Sequence, residues 1–202
     1  TAEPDTDHDG LTDSEEVGKY LTDPRNPDSD WDGLGDGDEV KTHKTDPRNR
    51  DTDGGGVADG HEIIEDKTNP LNKPDDLELY TLHIEFDAGS SKLTAQYFEQ
   101  LDVIGKIMKE VPSATARIEG HIDQPQTASE RQAKKLTQKR AEAVVDYLAG
   151  GKWEIAQARM ESAGYGFARP VEKPDLLNGN LANRRIEIYI RRPAAPSNPA
   201  DK

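Results

Sequence analysis

The 202-residue sequence contains no cysteine, few aromatic residues and no long hydrophobic run. The absence of cysteine excludes disulfide bonds and thiolate metal sites. No stretch approaches the roughly 18 consecutive apolar residues of a membrane-spanning helix. With 32% hydrophobic and 5% aromatic residues, the chain is too poor in apolar side chains for a single large core. This composition favours a chain divided into separate regions.

Charge is divided unevenly along the chain. Residues 1–76 carry 23 acidic and 8 basic side chains, whereas the remainder is close to neutral. The acidic excess argues against a nucleic-acid partner, because nucleic acids are polyanions. A segment this charged, with so few apolar residues, is disordered unless something neutralises it. The first third of the chain therefore needs cations in order to fold.

Three acidic segments of twelve residues recur in this region, each starting 23 residues after the last. They are "DTDHDGLTDSEE" at 5–16, "DSDWDGLGDGDE" at 28–39 and "DTDGGGVADGHE" at 51–62. A calcium-binding loop of this length supplies oxygens from positions 1, 3, 5, 7, 9 and 12, with a backbone carbonyl at 7 and a glycine turn at 6. The spacing therefore predicts three calcium sites, with Ca²⁺ as the cofactor.

The predicted calcium ligands are carboxylates, apart from the carbonyl at position 7. The first loop supplies Asp5, Asp7, Asp9, the carbonyl of Leu11, Asp13 and Glu16. The second supplies Asp28, Asp30, Asp32, the carbonyl of Leu34, Asp36 and Glu39. The third supplies Asp51, Asp53, the carbonyl of Val57, Asp59 and Glu62. Because Gly55 occupies position 5, the third loop has one carboxylate fewer than the others, and we expect it to bind most weakly.

A short amphipathic helix and an Asp-Pro or Asn-Pro turn follow each loop, and no helix precedes it. The alternative interpretation, an acidic low-complexity linker, does not account for three loops in one register. Residues 5–74 resemble thrombospondin type 3 repeats, in the form found between domains of bacterial surface proteins. The resemblance implies that residues 1–76 form an elongated, calcium-stiffened spacer with little regular structure.

The rest of the chain, residues 77–192, has the patterns of an α+β domain. Apolar alternation predicts strands at "YTLHIEF" (80–86), "ATARIEG" (114–120), "RMESAGYG" (159–166) and "RRIEIYI" (184–190). Amphipathic helices are predicted from Thr94 to the residue before Pro112 and from about Ser129 to Leu148. This order predicts a mixed four-stranded sheet with helices packed on one face. Residues 193–202 are predicted to be a disordered tail.

Two charged residues of this domain lie where packing alone does not explain them. Arg140 shares a helical stripe with Leu136 and Val144. Asp123 follows the second predicted strand, at the mouth of the sheet. Each residue also has an interpretation without a ligand. An aspartate at this place is typical of a turn or a helix cap, and an arginine is typical of a surface position that covers only its aliphatic stem.

Several segments of the domain resemble the C-terminal domain of the outer membrane protein A family. In order, they are "IEFDAGSSKL", "IEGHID", "LTQKRAEAVVDYL", "SAGYGFARP" and "NRRIEIYI", within residues 80–192. Members of this family bind the diaminopimelate of the peptidoglycan stem peptide non-covalently. The resemblance implies that Asp123 binds its ammonium group, that Arg140 binds its carboxylate in a bidentate pair, and that Arg184 lines the groove.

The sequence departs from the family pattern beside this groove. Ile122 replaces the usual threonine, and Ala133 stands where the family often has a ligand-contacting asparagine. Asp123 and Arg140 are kept, whereas these two hydrogen-bonding side chains are lost. We therefore expect the affinity or selectivity for peptidoglycan to differ from that of other family members. Two functions stay open here. One is a wall anchor on a calcium-stiffened spacer, and the other is a calcium-dependent adhesion or assembly module with a degenerate groove.

Catalytic patterns are weak in this sequence. The five histidines are scattered, and His121 lies near Asp123 without an identified nucleophile. We therefore expect a binding protein and not an enzyme. The resemblance implies a periplasmic, outer-membrane-associated protein of a Gram-negative bacterium, tied to the membrane by an upstream β-barrel or lipid anchor that precedes this sequence.

Overall fold

The computed structural model describes residues 3–124, 129–177 and 179–193. The predicted disordered tail, apart from its first residue, lies outside the described residues. The chain divides into two compact units, Thr1–Asp76 with Arg169–Asn183, and Leu77–Ala168 with Arg184–Lys202. Within the described residues, every helix is too short or too polar to cross a membrane.

Each repeat of the first unit is a loop followed by two consecutive helical turns. The α-helical turns are Asp13–Glu15, Asp36–Asp38 and Asp59–His61, and the π-helical turns that continue them are Glu16–Tyr20, Glu39–His43 and Glu62–Asp66. Left-handed residues end the π-helical turns, at Leu21, Lys44 and Lys67. The prediction of little regular structure in this region, with a short helix after each loop, is confirmed.

Successive repeats pack together through a glycine at position 10 of the later loop. The Gly37 N–H donates to Asp9 Oδ2 at 3.1 Å, and the Gly60 N–H donates to Asp32 Oδ2 at 2.9 Å. A Cβ atom on either glycine would overlap the backbone carbonyl of that aspartate. Position 10 of the first loop is Ser14, which packs against no earlier loop within the described residues. The glycines are therefore needed where one repeat meets the next.

The second unit contains a mixed four-stranded sheet, as the sequence predicts. Its strands are β1 (Glu78–Leu82), β2 (Thr115–His121), β3 (Met160–Gly166) and β4 (Ile186–Arg191), in the order β1-β4-β2-β3. Strands β2 and β3 are parallel, and β4 is antiparallel to β1 and β2. Its α-helices are α1 (Phe98–Glu110) and α2 (Glu130–Ala149). The 3₁₀ turns among the described residues are Ala95–Tyr97 and Gln157–Arg159 in this unit and Lys73–Asp75 in the first.

The hydrophobic core of this unit lies between the sheet and the helices. It contains the predicted stripe of α1, residues of α2 and the inward-facing isoleucines of β2 and β4: Leu101, Ile104, Met108, Ala141, Val144, Leu148, Ile118, Ile186, Ile188 and Ile190. Ser129 caps α2, its hydroxyl accepting the Gln132 N–H at 3.3 Å. Strand β1 ends at Leu82, before its predicted end, yet Ile84 and Phe86 still pack against the core.

Candidate calcium sites and candidate ligand groove

Carboxylates at positions 1 and 9 close each acidic loop. In the second loop, Asp28 accepts the N–H groups of Asp32 and Gly33 at 3.2 and 3.1 Å. Asp36 accepts both the backbone N–H and the hydroxyl of Ser29, at 2.8 and 2.7 Å. The same double contact joins Asp13 to Thr6 and Asp59 to Thr52. The predicted ligands at these positions therefore also shape the loop.

Carboxylate oxygens at positions 3 and 12 are buried and unpaired. Among the described residues, the buried oxygens that accept no hydrogen bond of normal geometry include Oδ2 of Asp7, Asp30 and Asp53, Oε2 of Glu16 and Glu39, and both oxygens of Glu62. Burying a carboxylate without a partner is costly, and a bound cation removes that cost. Oxygen ligands are those that Ca²⁺ prefers. The residues present therefore fit a calcium ion.

The acidic side chains also form compact groups. Ligating oxygens of Asp28, Asp30 and Asp32 lie within 4.8 Å of one another, and the first loop has the equivalent group. Glu39 forms a second such group with Asp32 and with Asp59 of the next loop. Position 9 therefore reaches the carboxylates of the preceding repeat, which the spacing within one loop does not reveal.

Burial, and then the proximity of other carboxylates, raises the pKa values of these groups. Burial, followed by repulsion from Asp32 and Asp30, raises the pKa of Glu39 to about 9. Burial, followed by repulsion from Asp7, raises the pKa of Glu16 to about 7. Burial is also the largest cause that raises the pKa of Glu62, to about 8. Without a cation, these buried carboxyl groups hold protons near neutral pH, so protons and metal ions compete for them.

The third loop has a neighbouring carboxylate that the sequence analysis missed. Asp76 Oδ2 accepts the N–H of Val57 at 3.3 Å. A Cβ atom on Gly55 would overlap the Asp76 carboxylate. Because Asp76 lies well beyond the twelve residues of the loop, no ligand spacing points to it. The only sequence signal is the pair of acids that ends the charged region.

Arg140 is held in a defined orientation in the second unit. Its Nε–H donates to the Ser90 carbonyl at 3.0 Å, and its guanidinium lies 4.6 Å from the centroid of the Phe86 ring. Among the described residues, its terminal nitrogens make no hydrogen bond, so the outer edge of the guanidinium stays available. Burial and then the positive charge of Arg184 lower the pKa of Arg140.

Asp123 lies at the end of β2, as predicted. It is 6% exposed, and the Ile122 N–H before it donates to the Gly166 carbonyl at 2.8 Å. A backbone hydrogen bond therefore connects the residue before Asp123 to the last residue of β3. Arg184 influences Arg140 electrostatically, while the shared groove and the pairing of Asp123 with Arg140 stay predictions.

Other residues of the C-terminal motifs have structural roles. Arg185 is buried and forms an ion pair with Glu187, with 2.7 Å between Nε and Oε1. Ala133 is buried against Gly166, so it adds no hydrogen-bonding group to a groove. Asn183 Oδ1 accepts the Val171 N–H at 2.8 Å and thereby ties the loop before it.

Comparison with known proteins finds matches for both regions. Residues 85–184 match the family model described as OmpA family, and residues 5–27, 28–49 and 51–73 match the bacterial TSP3 repeat. Outer membrane porin F of Pseudomonas aeruginosa is 32% identical over 109 residues, covering 54% of this chain and 30% of that protein. The probable lipoprotein YiaD of Escherichia coli is 26% identical over 108 residues, covering 54% of this chain and 48% of that protein.

Among solved structures, the peptidoglycan-associated lipoprotein of Burkholderia pseudomallei is 25% identical with a TM-score of 0.47. That likeness covers 63% of this chain and 98% of the other. The chain spans about a third to a half of the length of the two curated relatives. The family matches occur in the order that the motifs predict, so the chain joins three bacterial TSP3 repeats to a domain of the OmpA family.

Proposed function

We propose that this chain binds peptidoglycan non-covalently through its OmpA family domain, carried on a spacer that calcium ions stiffen. The ligand is the diaminopimelate of the stem peptide, as the family resemblance implies. The domain would serve to attach an outer-membrane protein to the cell wall. Two curated relatives are named as an outer membrane porin and a probable lipoprotein, which supports this location.

The orientation of Arg140 is the observation that carries the proposal. Its Nε–H donates to the Ser90 carbonyl and its guanidinium carbon lies over the Phe86 ring. Within the part of the chain that the structure describes, the terminal nitrogens make no hydrogen bond, so they remain for a ligand. A guanidinium edge suits a carboxylate, which it binds through two parallel hydrogen bonds. The nearby Arg184 adds a second positive charge. The site therefore favours an anionic group.

Diaminopimelate adds an ammonium group beside that carboxylate, and we assign it to Asp123. A buried carboxylate at the end of a strand suits an ammonium ion, because the pair neutralises both charges. These interactions bind and orient a ligand without transferring a proton or forming a bond. We therefore propose a binding role for the domain and no enzymatic activity.

The calcium-binding part of the proposal assigns the ions to the three acidic loops. Their ligands are the residues predicted at positions 1, 3, 5, 7, 9 and 12, with the unpaired oxygens at positions 3 and 12 as the strongest support. Bound calcium supplies positive charge to a segment that has an excess of acidic residues. Neutralising those carboxylates stabilises the loops and thereby stiffens the spacer.

The experiment that tests wall binding is a calorimetric titration with a muropeptide containing diaminopimelate. Charge-assisted hydrogen bonds contribute about 1.5–3 kcal/mol each, so Arg140→Ala is expected to weaken binding about tenfold or more. Arg140→Lys is expected to recover part of the affinity, because an ammonium cannot make the paired contact. Lys139→Ala, which removes a positive charge from an exposed position next along the same helix, is the matched control.

Thermal melts run on the same samples separate loss of the ligand contact from loss of the fold. Wild-type affinity in folded Arg140→Ala contradicts the groove assignment. Equal losses in Arg140→Ala and Lys139→Ala indicate a general charge effect and also contradict it. If the wild-type chain binds calcium but no muropeptide, the adhesion or assembly function with a degenerate groove is favoured instead.

A further inference from the structure

Position 5 of the third acidic loop is the one place where a predicted carboxylate ligand is missing. The other two loops have Asp9 and Asp32 there, whereas the third has Gly55. In those two loops the aspartate also orders the backbone. Asp9 Oδ1 accepts the N–H of Leu11, and Asp32 Oδ1 accepts that of Leu34, both at 2.7 Å.

Asp76 makes the equivalent contact in the third loop. Its Oδ2 accepts the N–H of Val57, the residue at position 7, at 3.3 Å. Its carboxylate also occupies the space beside the Cα atom of Gly55, where a side chain at position 5 would begin. Both the hydrogen-bond donor and the space are therefore those that an aspartate at position 5 would use.

Several buried carboxylate oxygens of this site make no hydrogen bond of normal geometry within the described residues. Glu62 is fully buried, and neither of its carboxylate oxygens accepts a hydrogen bond of normal geometry among the described residues. Asp53 Oδ2 and Asp76 Oδ1 are buried in the same unpaired state. Asp76 therefore accepts a backbone hydrogen bond with one oxygen, and its other oxygen makes none among the described residues, as expected of a metal ligand.

The segment before Asp76 is placed against the third loop by further contacts. The 3₁₀ turn Lys73–Asp75 leads directly into Asp76. Lys73 Nζ donates to the carbonyl of Gly54 in the loop, much as Lys41 Nζ donates to Gly10 in the first loop. Asp75 is exposed and accepts the Asn69 N–H at 3.2 Å, so its carboxylate serves the turn.

We propose that Asp76 is the fifth carboxylate ligand of the third calcium site, replacing the side chain that Gly55 lacks. This inference rests on the proposed binding of calcium by the repeats. With Asp76 included, the third site has as many carboxylates as the first two, so the weakness expected from Gly55 no longer follows. The calcium-dependent segment then extends to Asp76, immediately before the second unit begins at Leu77.

The test is calcium titration calorimetry of the whole chain, with Glu62→Gln used to identify the step that belongs to the third site. Asp76→Ala is expected to weaken that step at least about tenfold, because calcium affinity depends on the number of charged ligands. Asp75→Ala removes the neighbouring charge and is expected to change the step less than about threefold. The other two steps serve as an internal control in each variant.

A rescue variant keeps the test independent of folding effects. In the Asp76→Ala background, Gly55→Asp is expected to restore most of the lost affinity, because its carboxylate enters the vacated space as Asp9 and Asp32 do in their loops. In the wild-type background, Gly55→Asp is expected to give no gain, since the new side chain would collide with Asp76. Gly55→Asp is expected to restore affinity in the Asp76→Ala background and to give none in the wild type only if Asp76 occupies the place of a side chain at position 5.

Each outcome has a defined meaning. An unchanged third step in Asp76→Ala, or equal weakening by Asp75→Ala, overturns the assignment of Asp76 while leaving calcium binding intact. Tighter binding by Gly55→Asp alone also overturns it. If no titration step appears in the wild-type chain, calcium binding by the repeats itself is wrong. Muropeptide titration of the same variants reports separately on the domain.

Discussion

The buried side chains of the repeats are mainly polar, whereas those of the OmpA family domain are mainly apolar. The repeats fully bury Glu16, Glu39 and Glu62, whereas the OmpA family domain fully buries residues such as Ile118 and Ile188. Burying an aliphatic side chain stabilises a fold by about 1.5–3 kcal/mol, whereas burying an unpaired carboxylate destabilises it. The domain therefore contains its own driving force for folding, whereas the repeats need the cations that we propose they bind.

The apolar residues of the repeats do not change this comparison. Leu11, Leu34 and Val57 supply buried apolar area, one residue to each loop. In the domain, helices and strands contribute to one shared cluster. A single aliphatic side chain per repeat does not offset the entropy lost in ordering 23 residues, at roughly 1–2 kcal/mol per residue. We therefore expect changes in one unit to leave the other largely unaffected.

The largest effect is expected from truncating the apolar core of the domain. Ile118 lies in β2 opposite Ile188 of β4 and is fully buried. Ile118→Ala is expected to lower the free energy of unfolding of the domain by about 2–5 kcal/mol. Denaturant unfolding measures this change, with Val103→Ala at an exposed position of α1 as the control. Loss of calcium binding by the repeats in Ile118→Ala would contradict the expectation that the two units fold independently.

A smaller effect is expected from removing one buried charge in the repeats. Glu39 occupies position 12 of the second loop, and one of its oxygens is unpaired among the described residues. Glu39→Gln is expected to weaken one calcium step at least about tenfold, while the melting temperature of the domain stays unchanged. The adjacent exposed Asp38→Asn is the control. Calorimetry showing equal effects of the two substitutions would contradict the assignment of Glu39.

The smallest effect is expected from pH in the absence of calcium. Burial and then neighbouring carboxylates raise the pKa of Glu39 to about 9 in the folded repeats. Such a group stabilises the fold below its ordinary pKa, and this contribution is lost as the pH rises through the folded value. In EGTA, circular dichroism is therefore expected to show more helix near pH 5 than near pH 9.

Calcium affinity is expected to change with pH in the opposite direction. Protons compete with the ion for Glu39 and Glu62, so affinity should fall as the pH decreases. Calorimetric titrations at several pH values measure this dependence. Affinity that is constant between about pH 5 and 8 would show that these carboxyl groups do not bind the ion.

The acidic loops were predictable because their carboxylates recur at a fixed spacing within one short segment, while calcium binding by them stays a proposal. Asp76 was not predictable, because it reaches the loop from outside that segment. The π-helical turns also escaped prediction, since no spacing of apolar residues distinguishes them from an α-helix of two turns. Their presence depends on backbone hydrogen bonds such as that from the Leu21 N–H to the Glu16 carbonyl, at 2.6 Å.

In the domain, apolar alternation predicted where the strands lie along the chain, and their pairing decided where they end. The alternation from Tyr80 continues to Phe86, yet β1 stops at Leu82, which pairs with Ile186, the first residue of β4. Beyond that pair β4 offers no residue to continue the ladder. The family resemblance pointed to Arg140, whereas its contacts with Ser90 and Phe86 required the fold.

Hydrogen–deuterium exchange of the whole chain, with calcium and with excess EGTA, tests the central comparison most directly. The account predicts that EGTA removes amide protection from the repeats through Asp76 and leaves β2, β4 and the two long helices protected. Protection of the repeats that is equal in both conditions would contradict the account, as would loss of protection in both units together.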